Sequence, residues 1–317
     1  MILPRGVLRR IKQSSIGKAY RYLGHLAFAL RFGTAEPVTY RLPRGIEIRL
    51  YPRGEVAEFL FYHPWFERTE LNLLAGFLTE GMRLVDVGAN IGLYSILADK
   101  LVGAHGQVWA FEPSNETYQW LLDNLRCNQC TSVVPIRVAL SDRDGDDLIL
   151  RSDPGFGDAY RYLQRRDRIG SALSEERRDT SRSEVVTTAT LDAYAESHDI
   201  HKVDFIKVDI EGGEYPFFVG ARRILTENQD VVVMFENSPD WCTRAGHRQE
   251  DIFALLRGLG FGLYSWSRGS QQWEDSDSRV MGAEIVWATR NYRRLPTTRP
   301  SIPAGATRAY RSERPSR

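Results

Sequence analysis

The chain has 317 residues, 42% of them hydrophobic, and a formal net charge of +1. This is enough apolar material for one large core with appendages or for two small domains. Near-balanced charge removes the broad basic surface that nucleic-acid binding leans on, so no nucleic-acid partner is expected. Three cysteines, an odd number, do not make a disulfide framework. Reduced thiols and a cytoplasmic setting are expected. Cys127 and Cys130 form a C-x-x-C at the end of a predicted helix, with no second Cys or His pair to complete a zinc site.

The N-terminal stretch MILPRGVLRRIKQSSIGKAYRYLGHLAFALRFG mixes basic and apolar residues. Its apolar run LGHLAFAL is closed by Arg31, too short for a bilayer span or a signal peptide. A basic amphipathic helix resting on a membrane surface and a helix packed on the main domain both fit. TYRLPRGIEIRLYPRG (39–54) predicts a short hairpin. These pieces form an expected extension over residues 1–60, ahead of a main domain over 61–292.

From about residue 83, apolar runs alternate with helical patterns. RLVDVG (83–88) predicts a buried strand and IGLYSILADKLV (91–102) a helix. QVWAFEP (107–113) predicts a second strand, and Ser114 with Glu116 and Thr117 marks a helix start. VVPIRVAL (133–140), VDFIKVDI (203–210) and DVVVMFEN (230–237) predict strands three to five. Helices are expected over 216–225 and 250–259, and FGLYSWS (261–267) with EIVWATR (284–290) predicts a closing pair. Such alternation implies a mostly parallel sheet covered on both faces. The Arg-, Asp- and Ser-rich segment 151–183 interrupts the rhythm as a long charged insertion. Residues 293–317, rich in Pro, Arg, Thr and Ser, predict a basic disordered tail.

The turn Gly88-Ala89-Asn90-Ile91-Gly92 joins the first strand to the first helix of that series. Glycine permits positive φ and close approach of a ligand, and open α/β sheets bind ligands at such strand ends. The dinucleotide pattern G-x-G-x-x-G lacks one glycine here, which favours S-adenosylmethionine over a pyrophosphate cofactor. Asp86 also fits a cofactor carrying an ammonium group. Glu112, at the end of the second strand, is placed to take two ribose hydroxyls, a feature that NAD and S-adenosylmethionine sites share. Phe111 or Pro113 can flank the adenine, and a backbone amide near Ser141 with the Asp142 carboxylate can read its edge.

IKVDIEGGE places Asp209 and Glu211 on one face with Lys207 at the fourth strand end. Glu236 and Asn237 end the fifth. Asp209, Glu211 and Glu236 are the candidate catalytic groups, with Asp209 also beside the cofactor. Glu214 reads as an ordinary first-turn helix acid. A carboxylate can orient or deprotonate a hydroxyl for methyl transfer. Alternatively Asp209, Glu236 and Asn237 can hold Mg²⁺, as in the similar trios of catechol methyltransferases. The position after the fourth strand reads DIEG rather than [DN]-P-P-[YFW], against a nucleobase amine as acceptor. His63, Glu67 and Ser171 are further candidate contacts, and Trp241 and Trp266 can stack on a sugar or pack in the core.

VDVGANIGLYS, VWAFEPSNETYQWLLDNL, VALSDRDG, TLDAY (190–194) and DFIKVDIEGGEYPFFVGARRIL occur in the order found in the FkbM family of S-adenosylmethionine-dependent methyltransferases. Residues 60–240 resemble that family. The resemblance implies a Rossmann-like class I methyltransferase fold with a mostly parallel seven-stranded sheet and helices on both faces. It implies O-methylation of a sugar, a glycan end or a natural product. Asp86, Gly88, Ala89, Asn90 and Gly92 would then surround the methionine part, Glu112 and Pro113 the ribose side, and Ser141 and Asp142 the adenine. Asp209 and Glu211 would face the acceptor. An NAD-dependent oxidoreductase and a non-catalytic cofactor-binding scaffold are the competing readings.

Overall fold

The computed structural model describes residues 37–51, 67–153, 157–165, 183–296 and 309–310. Strands β1 (Val38–Leu42) and β2 (Ile46–Leu50) form the expected hairpin, followed by α1 (Arg68–Phe77). The glycine turn lies between β3 (Arg83–Val87) and α2 (Leu93–Val102), and β4 (Gln107–Phe111) leads to α3 (Asn115–Cys127). The chain continues through β5 (Val133–Ile136), β6 (Ala139–Leu140), β7 (Asp147–Asp153), β8 (Gly157–Arg165) and β9 (Ser183–Ala189). After α4 (Leu191–Ser197) come β10 (Phe205–Val208), α5 (Glu214–Gly220), α6 (Arg222–Glu227) and β11 (Val232–Glu236). Next are α7 (Pro239–Ala245), α8 (Gln249–Gly258), β12 (Gly262–Ser267), β13 (Gln272–Glu274), α9 (Asp277–Met281), β14 (Ile285–Thr289) and β15 (Ala309–Tyr310).

The main sheet has eight strands in the order β13-β12-β14-β11-β10-β3-β4-β5. The five from β11 to β5 are parallel, and β14 and β12 close the sheet as an antiparallel pair. The short β13 adds one strand to the seven expected. Strand residues alternate between the two faces. Leu84, Phe205, Val232 and Met234 join the core that α1, α2 and α3 cover. Val85, Ile206, Val233 and Phe235 join the core that α4, α5, α6 and α8 cover. The strand order reverses beside β3, which puts a binding crevice at the carboxyl ends of β3, β4 and β10.

Several expectations change. The predicted third strand 133–140 is two strands: β5 edges the main sheet, where Pro135 is tolerated, and β6 leaves to pair with β9. β6 belongs to a second sheet, β6-β9-β7-β8, so both ends of the charged insertion are strands. The helix expected over 216–225 breaks at Ala221 (φ −113, ψ 9). Just before the break, a Cβ on Gly220 would lie 2.1 Å from the Ser141 carbonyl oxygen, so that helix packs directly on the β6 end. Within residues 293–317, Leu295 is buried, Pro296 O accepts a hydrogen bond from Trp273 Nε1 (2.9 Å), and β15 pairs with β1. Val38, Ile46, Ile48 and Leu50 of the hairpin lie in the same core as α1 to α3. The basic N-terminal helix, His63 and Ser171 lie outside the described residues.

Candidate functional site

The glycine turn is shaped by its neighbours. Gly88 has φ +76, and a Cβ there would lie 2.1 Å from the Asp209 carbonyl oxygen. Gly92 has φ +93, and a Cβ would meet Leu121 Cδ1 at 2.8 Å. Both glycines are therefore demanded by packing against the β10 end and α3, in addition to their φ. Gly88 and Ala89 donate their N–H groups to Phe111 O at 3.0 and 2.9 Å. Asn90 (φ 51) donates its N–H to Glu112 Oε2 at 3.0 Å, and Glu112 Oε1 accepts from Ser114 N–H at 2.9 Å. Glu112 thus braces the turn from β4. The helix after the turn starts at Leu93, two residues later than expected.

Beside the turn lies an open cleft. Its apolar lining is Val87, Phe111, Pro113, Val138, Ala139, Leu140, Leu150 and Ile210. Its polar lining is Gly88, Asn90, Glu112, Thr117, Asp209 and Glu211. Three of these are carboxylates, and among the described residues none of the lining is Lys, Arg or His. Such a set of acceptors suits a cationic group attached to a flat apolar one, as in S-adenosylmethionine, and repels a pyrophosphate. Of the residues expected around the cofactor, Gly88, Asn90, Glu112, Pro113 and Asp209 line the cleft, whereas Ala89 and Gly92 do not. Ser141 donates its N–H to Ala189 O (2.9 Å) and its hydroxyl to Asp142 Oδ1 (3.2 Å), and neither residue lines the cleft. Ala139 and Leu140, from the same strand end, do line it. Leu150, on β7 just before the insertion, had no signal beyond an apolar residue in a charged neighbourhood.

At the ends of β10 and β11, Asp209, Glu211 and Glu236 each offer a carboxylate oxygen, all within 4.8 Å of one another. All three are half-buried. Glu211 holds φ 53, a left-handed conformation uncommon outside glycine. Asn237, expected beside them as a metal ligand, is engaged elsewhere. Its Nδ2 donates to Ala283 O (2.7 Å) and its Oδ1 accepts from Gln249 Nε2 (2.6 Å), tying the β11 end to α8. Glu214 is indeed a first-turn acid, but a buried one. It accepts Ile210 N–H (3.0 Å) and Gly212 N–H (2.9 Å), and burial outweighs those bonds to raise its pKa to about 7.

Asp86 is fully buried and accepts the Ser95 hydroxyl at 2.6 Å. It reaches the turn through Lys207, whose Nζ lies 3.3 Å from Asp86 Oδ1 and donates to Gly88 O at 2.7 Å. A lone lysine in an apolar strand was the readable signal, because a buried cation requires partners. Glu67 does reach this region: Tyr94 hydrogen-bonds to it, and its charge acts on Lys207. Trp241 is buried and Trp266 packs edge-on against Trp273, so both serve packing. Cys127, Cys130 and Cys242 are free.

A family model described as "Methyltransferase FkbM domain" matches residues 86–263. The hexuronic acid methyltransferase AglP of Haloferax volcanii is 28% identical over 190 residues, covering 60% of this chain and 67% of its own. An O-methyltransferase from Bacillus cereus, solved with SAH, overlays with a TM-score of 0.42 at 13% identity, covering 70% of this chain and 80% of its own. A SAM-dependent O-methyltransferase from Thermotoga maritima overlays with a TM-score of 0.39 at 11% identity, covering 81% of this chain and 93% of its own.

Proposed function

Because the chain belongs to the FkbM methyltransferase family and uses S-adenosylmethionine, we propose that it methylates a hydroxyl of a sugar or glycan end. The observation that carries this reading is the convergence of Asp209, Glu211 and Glu236 within 4.8 Å beside the cleft. Ionised carboxylates only accept hydrogen bonds, so the partner they suit presents donors, as a sugar hydroxyl does. The relative from Haloferax volcanii, a hexuronic acid methyltransferase, supports a sugar as acceptor.

Bound S-adenosylmethionine supplies a methyl group on a positively charged sulfur. Glu112 takes the ribose hydroxyls, and Phe111, Pro113 and Leu140 enclose the base. Asp209 and Glu211, which line the cleft, align the acceptor hydroxyl, and one of the three carboxylates takes its proton as the new bond to oxygen forms. A divalent cation on the same three oxygens is the second reading, favoured by their mutual distance. No helix among the described residues is long and apolar enough to cross a membrane. The free thiols favour a cytoplasmic site of action.

The test is calorimetric titration with S-adenosylmethionine, S-adenosylhomocysteine and NAD, followed by transfer of labelled methyl to neutral and acidic glycosides with Mg²⁺ or EDTA. Binding of the sulfonium cofactor and its product, with methylation of a hydroxyl, is the expected result. Binding of NAD alone would refute the proposal. Activity abolished by EDTA and restored by Mg²⁺ would select the second reading.

A further inference from the structure

Lys207 is only 4% exposed, in the middle of the sheet, yet it carries a charge. Burial by itself lowers its pKa, but the carboxylates of Asp86, Asp209 and Glu67 outweigh that and raise it. Its three donors have defined neighbours. Nζ donates to Gly88 O at 2.7 Å, pairs with Asp86 Oδ1 at 3.3 Å, lies 3.4 Å from Val87 O and sits 5.3 Å from the centre of the Tyr94 ring. Asp86 in turn receives the Ser95 hydroxyl at 2.6 Å. One chain of contacts therefore runs from α2 through Ser95, Asp86 and Lys207 to the carbonyl of the glycine that lines the cleft. An apolar residue would fill the same volume in a parallel strand, so the fold alone does not call for a cation here.

We propose that Lys207 is a positioning residue for the cofactor: it clamps the Gly88 carbonyl so that the turn keeps its binding shape, and it offsets the negative charge beside the cleft. The assignment rests on the methyltransferase reading. The second half follows from charge. The sulfonium cofactor carries one positive charge more than its thioether product, so removing a neighbouring cation harms the product's affinity more than the cofactor's.

The experiment is calorimetric titration of wild type and Lys207→Met with S-adenosylmethionine and S-adenosylhomocysteine, with a thermal melt of each protein. In a folded Lys207→Met protein, Kd is expected to rise about tenfold or more for both ligands, and about threefold further for S-adenosylhomocysteine. Unchanged affinities, or equal losses for the two ligands, would overturn the proposal. Should Lys207→Met not fold, Ser95→Ala loosens the same chain from its far end by deleting one hydroxyl. It is expected to weaken both ligands severalfold, and wild-type affinity in that variant would overturn the clamp. If wild type itself binds neither ligand, the methyltransferase reading has failed, a result distinct from any variant effect.

Discussion

Glu211 holds a backbone conformation (φ 53) that a side chain carrying a Cβ adopts at a penalty of roughly 1 kcal/mol. Glycine adopts it freely. If the side chain were structural, Glu211→Gly would weaken the protein. If it serves the acceptor, that change leaves stability unchanged or raises it by up to about 1 kcal/mol while methyl transfer falls about 100-fold or more. Denaturant midpoints and turnover on the same preparation decide this, and retained turnover would remove Glu211 from the site. Glu112→Ala acts differently. It strips the acceptor from both the Asn90 and the Ser114 N–H groups, so cofactor affinity is expected to drop at least about tenfold by titration. Glu112 and Asp209 were legible as residues at the cleft because an ionised group ending an apolar strand is costly unless paired or used. Asn237 was not, because an amide at a strand end looks the same whether it faces a ligand or, as here, bonds Ala283 O and Gln249.

At the scale of elements, the turn between β10 and α5 is held by one buried acid. Glu214 has a folded pKa of about 7 against 4.5 for the free residue, from burial and the nearby Asp209 charge, which its backbone donors only partly offset. The native state therefore binds its proton more tightly than the unfolded chain does. The resulting stabilisation is fully present below pH 4.5 and is lost as pH rises through 7; it amounts to about 3 kcal/mol at most. Glu214→Gln removes this titration. The stability of wild type minus that of the variant is expected to decline between pH 4.5 and 7 and then level, as read from urea unfolding at a series of pH values. A flat difference would mean that the acid titrates as in water. Periodicity marked the elements themselves well. It failed where tertiary contacts cut them, as at Gly220 against Ser141 O, and where a strand changed sheets after Ile136. Neither cause has a local sequence signature.

Over the whole molecule, the hairpin that reads in sequence as an extension is wired to the cofactor turn. Asn124, fully buried on α3, accepts Arg49 N–H (2.7 Å) through Oδ1 and donates through Nδ2 to Ile91 O (2.9 Å) and Arg49 O (3.3 Å). One turn later Asn128 does half of this: it accepts Glu47 N–H (2.8 Å) and donates to Glu47 O (2.6 Å), with no hydrogen bond to the cofactor turn. Pairing between segments 75 and 81 residues apart was beyond periodicity, which sees only one segment at a time. The pair of asparagines separates two roles. Either Asn→Ala change leaves buried backbone groups without partners, so each is expected to lower the unfolding free energy by about 2 to 4 kcal/mol. Because hairpin, α3 and the main sheet share one core, circular dichroism and tryptophan fluorescence are expected to report one coincident transition. Only Asn124→Ala also frees the Ile91 carbonyl, so only it is expected to weaken S-adenosylmethionine, by about tenfold. Two separate transitions would detach the hairpin as an independent unit. Equal loss of affinity in both variants would place the coupling in overall stability and not in the contact between Asn124 and the turn.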